Sequence, residues 1–214
     1  MLDAALEQIP DNCPDARETF RYAFREGSNR SLADALVAVT GYDGYVPARG
    51  DAVTVDARGC AWSARTVALT FGQRIEVVSK DGAYVPELLG QPTVAQIFAT
   101  KGSGPVSLTP MKPGEYLLVD SVRLFNAAHV YVLGFSTFDV TGLDGRYEIP
   151  GLPPGKAKLS ALLPFTGGVA EKEILVEADK TQEIDLTIAF DRKAFDAKSA
   201  GKADKGPSET PKKN

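Results

Sequence analysis

From Asp51 onward apolar, β-branched residues recur in runs of four to eight closed by Gly or Asp. AVTVDA, ARTVALTF and RIEVVSKD are the clearest of these, and their length and β-branched content predict strands. ALVAVT (Ala35 to Thr40) predicts a strand before them. Tyr116 to Phe125, His129 to Phe135, Lys156 to Leu163, Glu171 to Glu177 and Gln182 to Ile188 predict strands after them. The Asp139 to Leu159 stretch, DVTGLDGRYEIPGLPPGKAKL, reads as the edge of a β-hairpin: Asp144-Gly145 accepts positive φ, Tyr147 and Ile149 alternate with Glu148, and Pro150 to Gly155 turns the chain. Gly72-Gln73 forms a tight link between two strands. Ala83 to Glu115 is polar and Pro-containing, with short strands only around Ala95 to Ala99 and Val106 to Leu108, and is where the loops of a sandwich would host a site.

One segment carries a helical period. Asp11 or Asn12 can cap it, Pro14 suits its first turn, Phe20 and Phe24 recur at i and i+4, and Gly27 stops it, which predicts a helix over Pro14 to Glu26. Its aromatic stripe is expected to pack against the sheets. No helix-period segment follows residue 30.

Composition narrows the functional classes. The chain has 214 residues, 43% hydrophobic, enough to close a core. Its net charge of −4 is uneven: Arg192 to Asn214 carries seven Lys and Arg against three Asp and Glu, which leaves −8 on residues 1–191. An acidic body argues against nucleic-acid binding. The tail is poor in apolar residues after Phe195 and is expected to be a disordered basic terminus, with weak tethering to an anionic surface as its sharper reading. No apolar run approaches the roughly 20 residues that cross a bilayer, and no signal-peptide pattern is visible in MLDAALEQIPDNC. Cys13 and Cys60, 47 positions apart, are either two free thiols or one stapled loop.

Catalytic patterns are sparse. One histidine, His129, offers no ordered nucleophile–base motif, and a Cys60 and His129 pair is conceivable but has no motif behind it. KGSGP lacks the Lys-Ser/Thr and helix of a phosphate loop. Asp51 with Asp56, or Asp139 with Asp144, can be read as calcium ligands or as solvated turn acids, and the turn preference of Asp favours the latter.

Several steps in order carry a resemblance: Gly59-Cys60-Ala61-Trp62 after an opening strand, Gly72-Gln73, Ser79-Lys80-Asp81, Pro113-Gly114 before a strand, and Val130-Tyr131-Val132. They lead into Thr141, Asp144, Gly145, Tyr147, Ile149, Gly151, Leu152, Pro153, Pro154 and Gly155. Over roughly residues 32 to 190 the sequence resembles a bacterial envelope family in which a cupredoxin-like sandwich runs into a carboxypeptidase-regulatory-like (transthyretin-like) β-element, as in methylamine-utilisation-type plastocyanin relatives. The resemblance implies an all-β, antiparallel Greek-key β-sandwich with a C-terminal transthyretin-like element, one N-terminal helix, and a periplasmic or secreted location. The expected organisation is a helical segment over 1–30, the β-domain over 31–190 and the tail over 191–214.

Copper-carrying members place two His, a Cys and a Met where this chain has Val85, Arg123, Asp120 and Asn126. A type-1 site needs imidazole nitrogen and soft sulfur, so the resemblance implies a cupredoxin that has lost copper and needs no cofactor. It reads as a non-enzymatic structural or protein-binding module. The alternative is a copper-binding or electron-transfer protein using other ligands. The expected contact surface for an unidentified protein partner is Tyr84, Val85, Leu88, Leu89, Arg123, Leu124, Phe125 and Asn126; the same side chains can instead plug the vacated pocket. If the protein matures in an oxidising compartment, as the resemblance implies, Cys13 and Cys60 are expected to form a disulfide worth about 2 to 4 kcal/mol.

Overall fold

The structure, a computed structural model, describes residues 9–92, 95–193 and 195. It is mainly β. A helix α1 (Pro14–Phe20) and a 3-10 turn (Ser28–Arg30) precede fourteen strands among the described residues. The strands are β1 (Leu36–Thr40), β2 (Ala52–Arg58), β3 (Ala61–Trp62), β4 (Thr66–Thr70), β5 (Arg74–Ser79), β6 (Ala83–Tyr84) and β7 (Pro86–Leu89). They continue as β8 (Ala99–Thr100), β9 (Val106–Leu108), β10 (Gly114–Asp120), β11 (Arg123–Leu133), β12 (Phe138–Val140), β13 (Gly155–Leu163) and β14 (Gly168–Val176).

Three four-stranded sheets stack in layers. The first, in order β3-β2-β5-β9, faces the second, β4-β11-β10-β7, across a core that includes Val55, Trp62, Leu69, Ile75, Leu118 and Val130. The period-two pattern explains the layering: β5 alternates half-buried and buried residues along its length, with Ile75 and Val77 turned inward. The third sheet, β12-β1-β13-β14, lays Leu36, Phe138, Val140 and Leu162 on Ala68, Tyr131 and Leu133, from the outer face of the second. Its other face, Val37, Val39, Ala157, Leu159 and Ala161, is covered by side chains that include Tyr147, Ile149, Ile184, Leu186 and Ile188.

Chain order and spatial order differ in one consequential way. β1 pairs with both β12 and β13, so the whole sandwich of residues 52–133 is built between two neighbouring strands of the third sheet. The expected hairpin over Asp139 to Leu159 is therefore not formed, because β1 lies between its two arms. The Asp144-Gly145 turn is present, with φ 71° at Gly145 and its N–H donating to Gly142 O at 2.9 Å.

Three further expectations are corrected. The sheets are mixed rather than antiparallel, since β2 and β5 pair in parallel, as do β4 and β11; connections that cross between sheets let strands return in the same direction. The helix ends at Phe20, six residues early, where Arg65 Nη1 takes the carbonyls of Thr19 and Tyr22 at 3.5 and 3.0 Å. Gln182 to Ile188 is assigned no strand, although burial alternates from Ile184 to Ile188. The expected disordered tail falls, beyond its first residues, outside the described residues.

Candidate functional site

The pole of the sandwich where β6 and β7 meet the β10–β11 turn gathers the four positions that the family resemblance aligns with copper ligands. β10 ends at Asp120, with a register irregularity at Val119/Asp120, and β11 begins at Arg123, leaving only Ser121 and Val122 between them. A two-residue turn has no room for the long loop of a copper site. Its geometry instead turns the Asp120 side chain, which is fully buried, back under the neighbouring strands.

Three donors converge on that carboxylate. Oδ1 accepts from the N–H groups of Val85 (3.2 Å) and Val122 (3.1 Å), and Oδ2 accepts from Arg123 Nη1 (2.8 Å). Ser121 N–H donates to Val85 O at 2.9 Å, tying the same turn to the β6–β7 connection. Arg123 also donates to Ala83 O at 3.0 Å, and its guanidinium carbon lies 5.2 Å from the Tyr84 ring centroid.

A second set of hydrogen bonds adjoins the first. Tyr84 Oη donates to Asp81 Oδ1 (2.7 Å) and accepts from Cys60 N–H (3.1 Å), while Asp81 Oδ2 accepts from Gly59 N–H (2.6 Å). Burial, and then the hydrogen bond to Asp81, push the Tyr84 phenol up to about 12. Burial by itself would raise the Asp81 carboxyl, but hydrogen bonds from Gly59, Tyr84 and Gly82, with Arg123 nearby, hold it below the ordinary carboxylate value. Asn126 Oδ1 accepts Trp62 N–H at 2.9 Å, and its buried Nδ2 is without a partner.

The eight expected contact residues therefore split. Tyr84, Val85, Leu88 and Asn126 are buried in the core, and Phe125 packs with Ile9, Cys13, Ala16 and Ala61 around the Cys13–Cys60 disulfide. Leu89 is exposed along β7, and Arg123 is half-buried over Tyr84. Leu124 shares the inward parity of Asn126 but lies beyond the end of the core, so it is 73% exposed. Sequence reasoning named Asp81 only as part of the Ser79-Lys80-Asp81 step and gave it no role at the pole. It also missed Val122, 69% exposed at the tip of the turn.

No protein-family profile matches the sequence, and no curated protein matches it. Solved structures do. One is the copper-containing nitrite reductase of Thermus scotoductus SA-01, at 18% identity over 44% of this chain and 25% of that one, with a TM-score of 0.32. Another is amicyanin from Paracoccus versutus, at 20% identity over 45% of this chain and 97% of that one, with a TM-score of 0.34. This chain thus spans a quarter of the reductase and nearly all of amicyanin. The similarity is distant and partial, and no residue role is carried across it.

The residues present do not fit a type-1 copper ion. Val85 offers no donor atom, both oxygens of Asp120 are engaged, Arg123 brings a fixed positive charge to the same spot, and the Asn126 oxygen is committed to Trp62. The sole imidazole lies elsewhere: His129 sits in β11, its backbone N–H donating to Arg65 O at 2.8 Å. Among the described residues no three His, Cys, Asp or Glu side chains are grouped to hold a metal ion.

Proposed function

We propose that the chain is a non-enzymatic β-sandwich module of a bacterial envelope or secreted assembly. In this reading a polar lock centred on Asp120 stands where cupredoxins hold copper, and the pole contacts a protein partner. The observation that supports it most is the Asp120 carboxylate, buried and taken by three protein donors from both sides of one turn. A metal pole changes state with its ion; a pole closed this way is rigid and internally neutralised, which suits a contact surface. Val122 and Leu124, flanking Arg123, present the aliphatic and arginine mixture found in interface cores. The Cys13–Cys60 disulfide supports an oxidising compartment.

The test separates the pole from the core. Val122→Ser and Leu124→Ser remove exposed side chains, so each should leave the melting temperature within a degree or two while weakening crosslinking to the partner in native extract. Retained crosslinking by both variants would reject the contact surface. Copper titration of the purified protein is expected to give no stoichiometric blue complex. A one-to-one complex with the blue-copper absorbance would overturn the reading in favour of a copper-binding or electron-transfer protein.

A further inference from the structure

On the far side of the molecule, over the third sheet, lies a groove of about 460 Å³, within the range of ligand pockets. Its floor is apolar and buried: Ala35, Val37, Ala161 and Leu163, from the ends of β1 and β13. Tyr147 lines one part of the groove and residues 184–188 another. The two approach where Tyr147 Oη donates to Ile184 O at 2.6 Å. Phe24 and Phe190, edge to face with centroids 5.0 Å apart, also line the groove.

Five consecutive residues, Ile184 to Ile188, line this groove. An extended chain points alternate side chains to opposite faces, so five in a row border one space only when the chain presents its main-chain edge to it. Ile184, Leu186 and Ile188 rest on the sheet, whereas Asp185 and Thr187 point to solvent. Along 182–190 no backbone–backbone hydrogen bond is made among the described residues. From Ile184 to Ile188 the segment has the alternating burial of a strand, but it is assigned to no strand and pairs with none. The rim is acidic: Glu26, Asp144 and Asp185 outnumber Arg30, and neither Glu26 nor Asp185 is in an ion pair among the described residues.

We infer that this groove binds an extended, basic peptide segment of a partner protein, which adds as a strand along the main-chain edge of residues 185–188, beyond the Ile184 carbonyl that Tyr147 holds. Main-chain hydrogen bonds to that edge supply affinity. Small or β-branched side chains of the peptide settle on the floor of Ala35, Val37 and Ala161. Its lysines or arginines, on the alternate positions, meet Asp185, Asp144 and Glu26. Five residues of wall span about 16 Å, so four to six peptide residues are read. The surface is separate from the sandwich pole and the inference goes beyond the proposal made for that pole.

The probe is an acetylated, amidated Lys-Val-Thr-Val-Lys-Val peptide with a fluorescent label, titrated against the full chain. Saturable binding is expected, with slowed amide exchange over residues 183–189. Asp185→Lys should weaken binding at least tenfold, as should N-methylation of alternate peptide amides. Absence of saturable binding up to millimolar protein would overturn the inference, and so would equal binding of the N-methylated peptide, which would leave only charge adhesion. If binding appears only after Lys198, Lys202 and Lys205 are all changed to Glu, the chain's own basic tail is the occupant and the partner assignment falls.

Discussion

Asp34 adopts a left-handed backbone, φ 65°, while being 4% exposed, a combination that side chains other than glycine tolerate only when firmly held. Its carboxylate accepts Nε and Nη2 of Arg25 (2.7 and 2.6 Å) and the N–H of Arg65 (3.0 Å). Its carbonyl accepts Thr66 Oγ1 (2.8 Å), and its N–H donates to Thr141 O (3.0 Å). One residue thus ties the N-terminal segment, the sandwich and the third sheet together. Asp34→Ala would leave the Arg25 charge and the Arg65 amide without their acceptor, and about 3 to 5 kcal/mol of stability should be lost in urea denaturation. Next to it, Arg65 is buried, with its guanidinium carbon 4.3 Å from the Phe165 ring centroid, and burial lowers it to about 10. His129 is lowered below 6.5 by burial and then by Arg65. A depressed histidine favours folding while neutral, so its contribution is complete above about pH 6.5 and declines as the pH falls through the folded value. Proton NMR of this single imidazole should give a midpoint under 6.5, and His129→Gln should remove that part of the stability–pH curve. A midpoint at or above 6.5 would contradict the burial seen here.

At the scale of elements, α1 depends on what it touches. Seven residues fall well short of the roughly 12 to 15 that an isolated helix needs. The helix is held by the disulfide, by Ala16 N–H on Gly59 O (3.1 Å) and by Asp15 with Arg58 (2.7 Å). The partner turn, Gly59-Cys60, has positive φ at both residues, as a two-residue hairpin loop between β2 and β3 requires. A Cβ on Gly59 would also fall 2.6 Å from Asp15 Cγ. Gly59→Ala should therefore destabilise by on the order of 1 to 3 kcal/mol, and Cys60→Ser by about 2 to 4 kcal/mol, both measurable by thermal melting. The sequence made the cysteine pair, the Asp144-Gly145 turn and most strands readable, because each is a local signal. It hid the neighbours of each strand: parity says which face of β1 is buried, yet nothing local says that β12 and β13 flank it. β7 was hidden by its own Pro86, and the Asp120 lock by the ordinary look of an Asp-Ser-Val-Arg turn.

For the whole molecule, the nesting of the sandwich inside the third sheet sets a hierarchy. The sandwich closes with its own strands, whereas β1 and β12 are neighbours only because the folded sandwich brings residue 52 and residue 133 to one side. Loss of the sandwich should therefore take the third sheet with it, but not the reverse. Calorimetry of the native chain should show one transition. Ala68→Arg, which places a charge in the seam against Leu36 and Leu162, should split it into a lower melt of the third sheet and an upper melt of the sandwich. A single transition shifted as a whole would argue that the two melt as one unit.

The disulfide also decides how the chain carries mechanical load. Tension entering ahead of Cys13 and leaving beyond Phe195 passes covalently through the sulfur bridge to Cys60, so the chain between the two cysteines cannot be drawn out while the bridge is intact. The 47-residue separation is then hidden length, roughly 160 Å of extended chain. In a pulling experiment the oxidised protein should extend on rupture by that much less than the reduced one. A reducing environment would turn a stiff link into a long, compliant one.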